Sequence, residues 1–185
     1  MHVLDLSLKQ FLEKTNQERP EITGGCVLLT NASLTTAMVL MALKISLKKT
    51  KTPADRRFLK TKIKALSSIQ MQFADAAEAD LNVFDEYRRI LRSKATNRQQ
   101  KLDAALQKAT DSLLSVCKVL NQAADETEMS KSYTDPSVVS DLNAGKLILE
   151  AVFTALIALA EGNIASMPEQ AKTKYDRWKD RLQAG

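Results

Sequence analysis

The sequence predicts an all-α protein, and three observations carry that expectation. Apolar residues recur at helical steps of three and four along most of the chain. No run alternates like a strand for long, and the 5 Gly and 4 Pro sit mostly near the ends of the apolar-periodic segments. A chain of 185 residues suits one domain, 1–185, with a full-sized core, since single domains commonly hold about 100 to 200 residues. Its 44% hydrophobic and 26% charged residues are ordinary for a soluble globular protein.

Six helices in a bundle are expected. In "LDLSLKQFLEKT", Leu4, Leu8, Phe11 and Leu12 share one face of a short amphipathic helix, which the polar "NQERPEI" follows. Thr23-Gly24-Gly25 opens a second helix that ends near Lys49. Pro53 restarts the chain into a long third helix reaching about Lys94, and a fourth covers about Asn97 to Asp125. The polar "DETEMSKSYT" is expected to form a loop. Asp135-Pro136 reads as an N-cap with Pro at the first helical position, and Gly162-Asn163 as the stop of that fifth helix. Pro168 starts a final polar helix carrying Tyr175 and Trp178.

The segment "ITGGCVLLTNASLTTAMVLMAL", Ile22 to Leu43, contains no charge over 22 residues. Thr23, Thr30, Asn31, Ser33, Thr35 and Thr36 keep its continuous apolar runs far below the roughly 20 residues of a membrane span. A buried central helix rich in small residues is the expectation, with no targeting segment before it. Cys26 and Cys117 lie in apolar helical patterns without CxxC spacing and read as reduced core residues of a cytoplasmic protein.

The single histidine, His2, leaves no basis for a His-containing metal site, a Ser-His-Asp triad or a Cys-His pair. Proton transfer then falls to Asp, Glu, Lys, Tyr or solvent. The charge is uneven: Lys44 to Lys64 holds nine basic residues against Asp55, a local +8, so the rest of the chain carries −3 of the total +5. That patch is either a solvated surface or a dock for a polyanion. Only Phe58 is available there for base stacking, so nucleic acid is not expected as a partner.

One residue breaks the pattern of the third helix. Its stripe runs Leu59, Ile63, Leu66, Ile69, Phe73, Ala77, then Asp80, then Phe84, Tyr87 and Leu91. A carboxylate on that face loses solvation unless it is paired, which raises its pKa and suits a general acid/base or a ligand anchor. The structural alternative is a partner for Lys, Arg or a backbone N–H at a neighbouring helix end. Asp141 repeats the pattern more weakly, heading the face Ala144, Gly145, Ile148, Val152, Ala155 and Leu159, although a helix N-terminus also favours an Asp there. Asn163 is a helix cap or a ligand. Gly24 and Gly25 permit close approach to free N–H groups at a helix mouth, or simply form a flexible turn.

In this order, these features resemble the formiminotetrahydrofolate cyclodeaminase and methenyltetrahydrofolate cyclohydrolase family. "SLKQFLEKTNQERPEITGGCVLLTNASLTTAMVLMAL" is similar to that family's opening helix, its P-T-P-G-G-G-S-V turn and the small-residue helix after it. "DLNVF", Asp80 to Phe84, resembles D-A-E-A-F. "SDLNAGKLILEAVFTALIALAEGN", Ser140 to Asn163, resembles S-D-x-x-x-A-x-x-x-x-E-A-A followed by N-V-x-x-N. The resemblance implies a homodimeric helical subunit acting on tetrahydrofolate one-carbon units without a metal. It puts Asp80 and Asp141 at acid/base positions and Gly24, Gly25, Cys26, Phe84, Glu150 and Asn163 at substrate-binding ones. Lys48, Lys49 and Lys51 become a dock for folate glutamates.

The sequence also departs from the pattern. Thr23 stands at the first glycine of the triplet, Ile22 at the preceding proline and Cys26 at the serine. "TDPS", Thr134 to Ser137, replaces G-N-x-N, Leu159 the first asparagine of N-V-x-x-N, and Leu113 a usual proline. Two other readings follow: a family member without catalysis that binds a folate or anion or serves as a helical assembly partner, and a nucleic-acid or membrane-surface binder using Lys44 to Lys64.

Overall fold

A computed structural model describes residues 3–94, 96–175 and 178. His2 lies outside them, as does most of the chain after Tyr175. The helices are α1 (Leu8–Thr15), α2 (Gly24–Lys49), α3 (Pro53–Arg92), α4 (Arg98–Met129), α5 (Val139–Ala165) and α6 (Glu169–Lys172), and no strand occurs among the described residues. The expected all-α class and number of helices hold.

Helices α2 to α5 form an up-down-up-down bundle in which each packs on its sequence neighbours and α5 closes against α2. The pairings give the directions. Thr23 meets Asp80 and Ser33 meets Gln70 between α2 and α3. Lys62 meets Glu126 and Lys108 meets Glu86 between α3 and α4. Gly24 and Gly145 of antiparallel α2 and α5 touch Leu159 and Val39 respectively. Leu29, Leu43, Leu66, Phe73, Leu120 and Leu149 fill the centre.

The uncharged α2 buries Gly25, Cys26, Leu29, Ala32, Ser33, Thr35 and Thr36 in its first half alone. Its buried hydroxyls bond back along the helix, Thr36 Oγ1 to the Ala32 carbonyl and Ser46 Oγ to the Ala42 carbonyl, both at 2.8 Å. The Thr36 hydroxyl is thereby satisfied within its own helix, whereas Ser46 Oγ also accepts from the Asp135 N–H at 2.8 Å and Ser33 Oγ donates to the Gln70 carbonyl of α3 at 3.4 Å. By length and composition, Gly24–Lys49 and Pro136–Ala165 are each apolar enough to cross a membrane, which corrects the disqualification of α2 on its scattered hydroxyls. Burial separates the two: 56% of the apolar window is buried in α2, but only 22% in the second stretch.

Several element boundaries differ from the sequence expectation. α1 starts at Leu8, set by a capping box between Ser7 and Gln10, and a 3-10 turn holds Val3–Asp5. Leu4, Leu8 and Leu12 remain exposed, so the expected apolar face is not buried; Phe11 alone of the four packs on the core. The expected loop after Asp125 is instead the last turn of α4. There Thr127 is fully buried and bonds to the Ala123 carbonyl at 2.7 Å, and Glu126 pairs with Lys62 at 2.8 Å. Asp135 does cap, through the Ser137 N–H, but it caps a 3-10 turn over Pro136–Val138 that leads into α5. Pro168 begins only four residues of helix, and Tyr175 is buried with its hydroxyl 3.0 Å from Asp111.

Candidate functional site

The apolar stripe of α3 changes its role halfway along. Up to Ala77 it is core; from Asp80 onward it faces a cleft of about 680 Å³ between α3, α4 and the ends of α2 and α5. Asp80, Phe84, Tyr87 and Leu91 form one wall, and Leu102, Leu106, Ala109 and Leu113 of α4 form the wall opposite. Thr23, Gly24 and Gly25 close the head of the cleft beside Leu159 and Asn163.

The Asp80 carboxylate sits on the N-terminus of α2. It accepts a hydrogen bond from the Thr23 hydroxyl and is also stabilised by the Cys26 backbone N–H. Thr23 Oγ1 in turn accepts from the Cys26 N–H at 3.0 Å, making Thr23 the N-cap of α2. Burial holds the Asp80 carboxyl above the usual carboxylate range, with the Thr23 and Cys26 bonds pulling partly the other way. No Lys or Arg pairs with it among the described residues, so of the two structural roles weighed above, the helix-end partner is the one present.

Gly25 is required by this carboxylate. A Cβ there would stand 2.6 and 2.7 Å from the two Asp80 oxygens and 2.8 Å from Cγ. Gly24 has ordinary room, its nearest neighbour being Leu159 at 3.8 Å. The double glycine therefore does two things: position 25 lets a carboxylate rest against backbone, and position 24 leaves the head of the cleft open.

Of the candidate catalytic and substrate-binding residues, Asp80, Phe84, Gly24, Gly25 and Asn163 line this one cleft. The others do not. Cys26 is fully buried, its thiol pushed up to about 11 by desolvation, and it contributes only backbone. Asp141 lies in the first turn of α5, 22 residues from Asn163 and so about 33 Å away along the axis. Glu150 is exposed, pairs with Lys146 at 3.5 Å and lies about 20 Å from Asn163 by the same measure.

Lys48, Lys49 and Lys51 are at the opposite end of α2, about 36 Å from the double glycine. Lys49 is engaged there. It pairs with Asp135 and Ser137, both at 2.8 Å, and that contact together with the Ser137 bonds holds the Asp135 carboxyl down at about 2. Arg56 donates to the Leu47 and Thr50 carbonyls and so finishes the C-terminus of α2.

Sequence reasoning missed the α4 wall and the cation that ends it, Arg98, with Gln99 and Asp103 beside it. The α4 spacing is that of any core stripe, so nothing in it marks a cleft. No cluster of three or more His, Cys, Asp or Glu side chains gathers among the described residues.

No curated protein sequence matches the chain. Among solved structures, formiminotetrahydrofolate cyclodeaminase from Thermotoga maritima matches with a TM-score of 0.84 at 19% identity, over 98% of this chain and 92% of that one. At that identity the likeness establishes the fold. The sequence profile described as Formiminotransferase-cyclodeaminase matches residues 7–180, nearly the full length, and the chain accordingly belongs to the formiminotransferase-cyclodeaminase family.

Proposed function

We propose that the protein is a tetrahydrofolate one-carbon enzyme, either closing N5-formimino-tetrahydrofolate to the 5,10-methenyl form or hydrolysing the methenyl bridge. The observation that carries this reading is a desolvated carboxyl, Asp80, held against Gly25 at the head of a cleft whose middle is apolar and aromatic, in a member of this family. In the closure, N10 bonds to the formimino carbon and gives up its proton, the imino nitrogen is protonated to an amino and then an ammonium group, and its C–N bond breaks to release ammonia and leave the methenyl bridge. In the hydrolysis, water adds to the same carbon, gives up a proton, and one C–N bond breaks as nitrogen takes a proton. Both need a group that exchanges a proton beside one amidine-like carbon, and a carboxyl that burial holds above its ordinary range is suited to that exchange. Asp80 is the proton-transfer group, Gly24 and Asn163 contact the pteridine, and Phe84 packs against the flat middle of the substrate that follows it. Tetrahydrofolate is substrate, and no metal takes part.

The same reading includes a cytoplasmic homodimer with no membrane or nucleic-acid partner. Leu34 is 63% and Leu147 66% exposed, Met41 of α2 and Ala151 and Ala158 of α5 are exposed as well, and α2 packs on α5. A second copy covering this face would account for the apolarity of α5, which its burial in one subunit does not. In such a dimer, Asp141 and Glu150 of one subunit are candidates to reach the other subunit's cleft.

A specific observation supports one other reading. The Thr23 bond and the helix-end position make Asp80 a structural anchor for α2, which a family member without catalysis would also keep. The two reactions and this alternative separate on two signals from the purified protein. Ammonia release from the formimino substrate marks deamination. Accelerated loss of methenyl absorbance marks hydrolysis. Neither signal, with a folded protein, would overturn the enzymatic reading.

A further inference from the structure

The cleft carries opposite polarity at its two ends. Its head is the Asp80 carboxyl. At its mouth, Arg98 opens α4, 15 residues from Leu113, so the lining runs about 22 Å along the α4 axis. Arg98 is the cation that lines this cleft among the described residues, and it forms no ion pair with them. The neighbouring acid, Asp103, accepts a hydrogen bond from the Gln99 amide at 2.9 Å. Arg98 also stands in the first turn of a 32-residue helix whose N-cap, Asn97, makes no side-chain cap bond, which adds unsatisfied N–H groups at the same end. Between the two ends the walls are apolar and aromatic.

We infer that Arg98 is the specificity-determining residue that receives the terminal carboxylate of an elongated ligand, whose hydrogen-bonding heterocycle lies at Asp80 and whose flat middle lies along Phe84 and Tyr87. This rests on the folate reading above and deepens it. It moves the recognition of the glutamate tail from Lys48, Lys49 and Lys51, at the far end of α2, to the mouth of the cleft that holds the rest of the molecule. Guanidinium and carboxylate pair through two parallel N–H donors, so the tail is oriented as well as attracted.

The test is calorimetric binding of two probes to the wild type and to Arg98→Gln. The probes are 5-formyl-tetrahydrofolate, which carries the glutamate, and 6-methyl-tetrahydropterin, which lacks it. Arg98→Gln is expected to keep the wild-type melting temperature, to weaken the tailed probe at least tenfold and to leave the pterin unchanged. Equal affinity of the two proteins for the tailed probe would overturn the assignment while leaving the folate reading intact. So would a loss on neutralising Lys48 and Lys51 in its place. Binding of neither probe to the wild type would overturn both.

Discussion

Replacing Gly25 by alanine tests the contact on which the site is built. The added Cβ would lie 2.6 to 2.8 Å from the Asp80 carboxylate, and ordinary contact begins at 3.4 Å, so the carboxylate must retreat by about 0.8 Å. That retreat breaks its bond to Thr23. A hydrogen bond to a charged group contributes about 1.5 to 3 kcal/mol, and the gain from Gly→Ala in a helix offsets up to about 1 kcal/mol of it. A net loss of about 0.5 to 2 kcal/mol follows, or a fall in melting temperature of about 1 to 8 °C for a chain of this size. Turnover should drop more steeply, on the order of 100-fold, because a displacement near 1 Å spoils a reacting geometry. The cost belongs to the carboxylate, so in an Asp80→Ala background Gly25→Ala should be neutral or stabilising. Thermal unfolding of the four proteins of the cycle measures this coupling. The same destabilisation with and without Asp80 would refute the reasoning.

Gly145→Ala acts on the fold alone. Its Cβ would meet Val39 Cγ2 at 2.4 Å where α2 and α5 cross, and overpacking of about 1 to 3 kcal/mol less the helix gain predicts a net loss of up to about 2 kcal/mol, relieved by Val39→Ala in the same chain. Because Asp80 holds its proton to higher pH folded than unfolded, its contribution to stability is full below the unfolded pKa and is lost as pH rises through the folded one. Asp80→Asn should therefore unfold with less decline between acid and neutral pH than the wild type; identical profiles would remove Asp80 as the cause. Cys26 and Cys117 are fully buried, with thiols pushed up to about 11 and about 12, so an aromatic disulfide reagent should label them only at the rate of unfolding. Rapid stoichiometric labelling of the native protein would contradict that burial.

Much of this architecture is legible in the sequence because the bundle helices carry their own start signals and apolar stripes. Thr23-Gly24-Gly25 and Pro53 open α2 and α3 where expected, and Asp80 stands out as an acid on an apolar face. The α4 boundary was misread because "DETEM" is polar by composition, whereas tertiary contacts decide it: Thr127 turns its hydroxyl back to Ala123, and Glu126 reaches Lys62. The exposed leucines of α1 show the converse, an amphipathic pattern whose apolar face finds no cover within the described chain.

Of the site, the sequence marked the residues whose type was anomalous for their position. It missed those whose type was ordinary, since Leu102, Leu106 and Ala109 have the spacing of a core stripe whether a helix or a cleft lies opposite. Thr23 was read as a departure from a glycine pattern. The structure gives it a positive role, capping α2 with one lone pair and donating its proton to Asp80. Asp141 and Glu150 show the limit of transferring motif positions, because helix length alone keeps them about 33 and 20 Å from Asn163 along α5 within one chain.

The most direct test of the account is the rate of methenyl-tetrahydrofolate consumption, with ammonia release from the formimino substrate followed in parallel, by the wild type and by Asp80→Asn, each checked for folding by thermal unfolding. The account predicts turnover by the wild type that falls at least 100-fold in Asp80→Asn, with no loss of melting temperature at neutral pH. Equal turnover by both proteins, or a folded wild type with none, would contradict it and leave Asp80 as the anchor of α2.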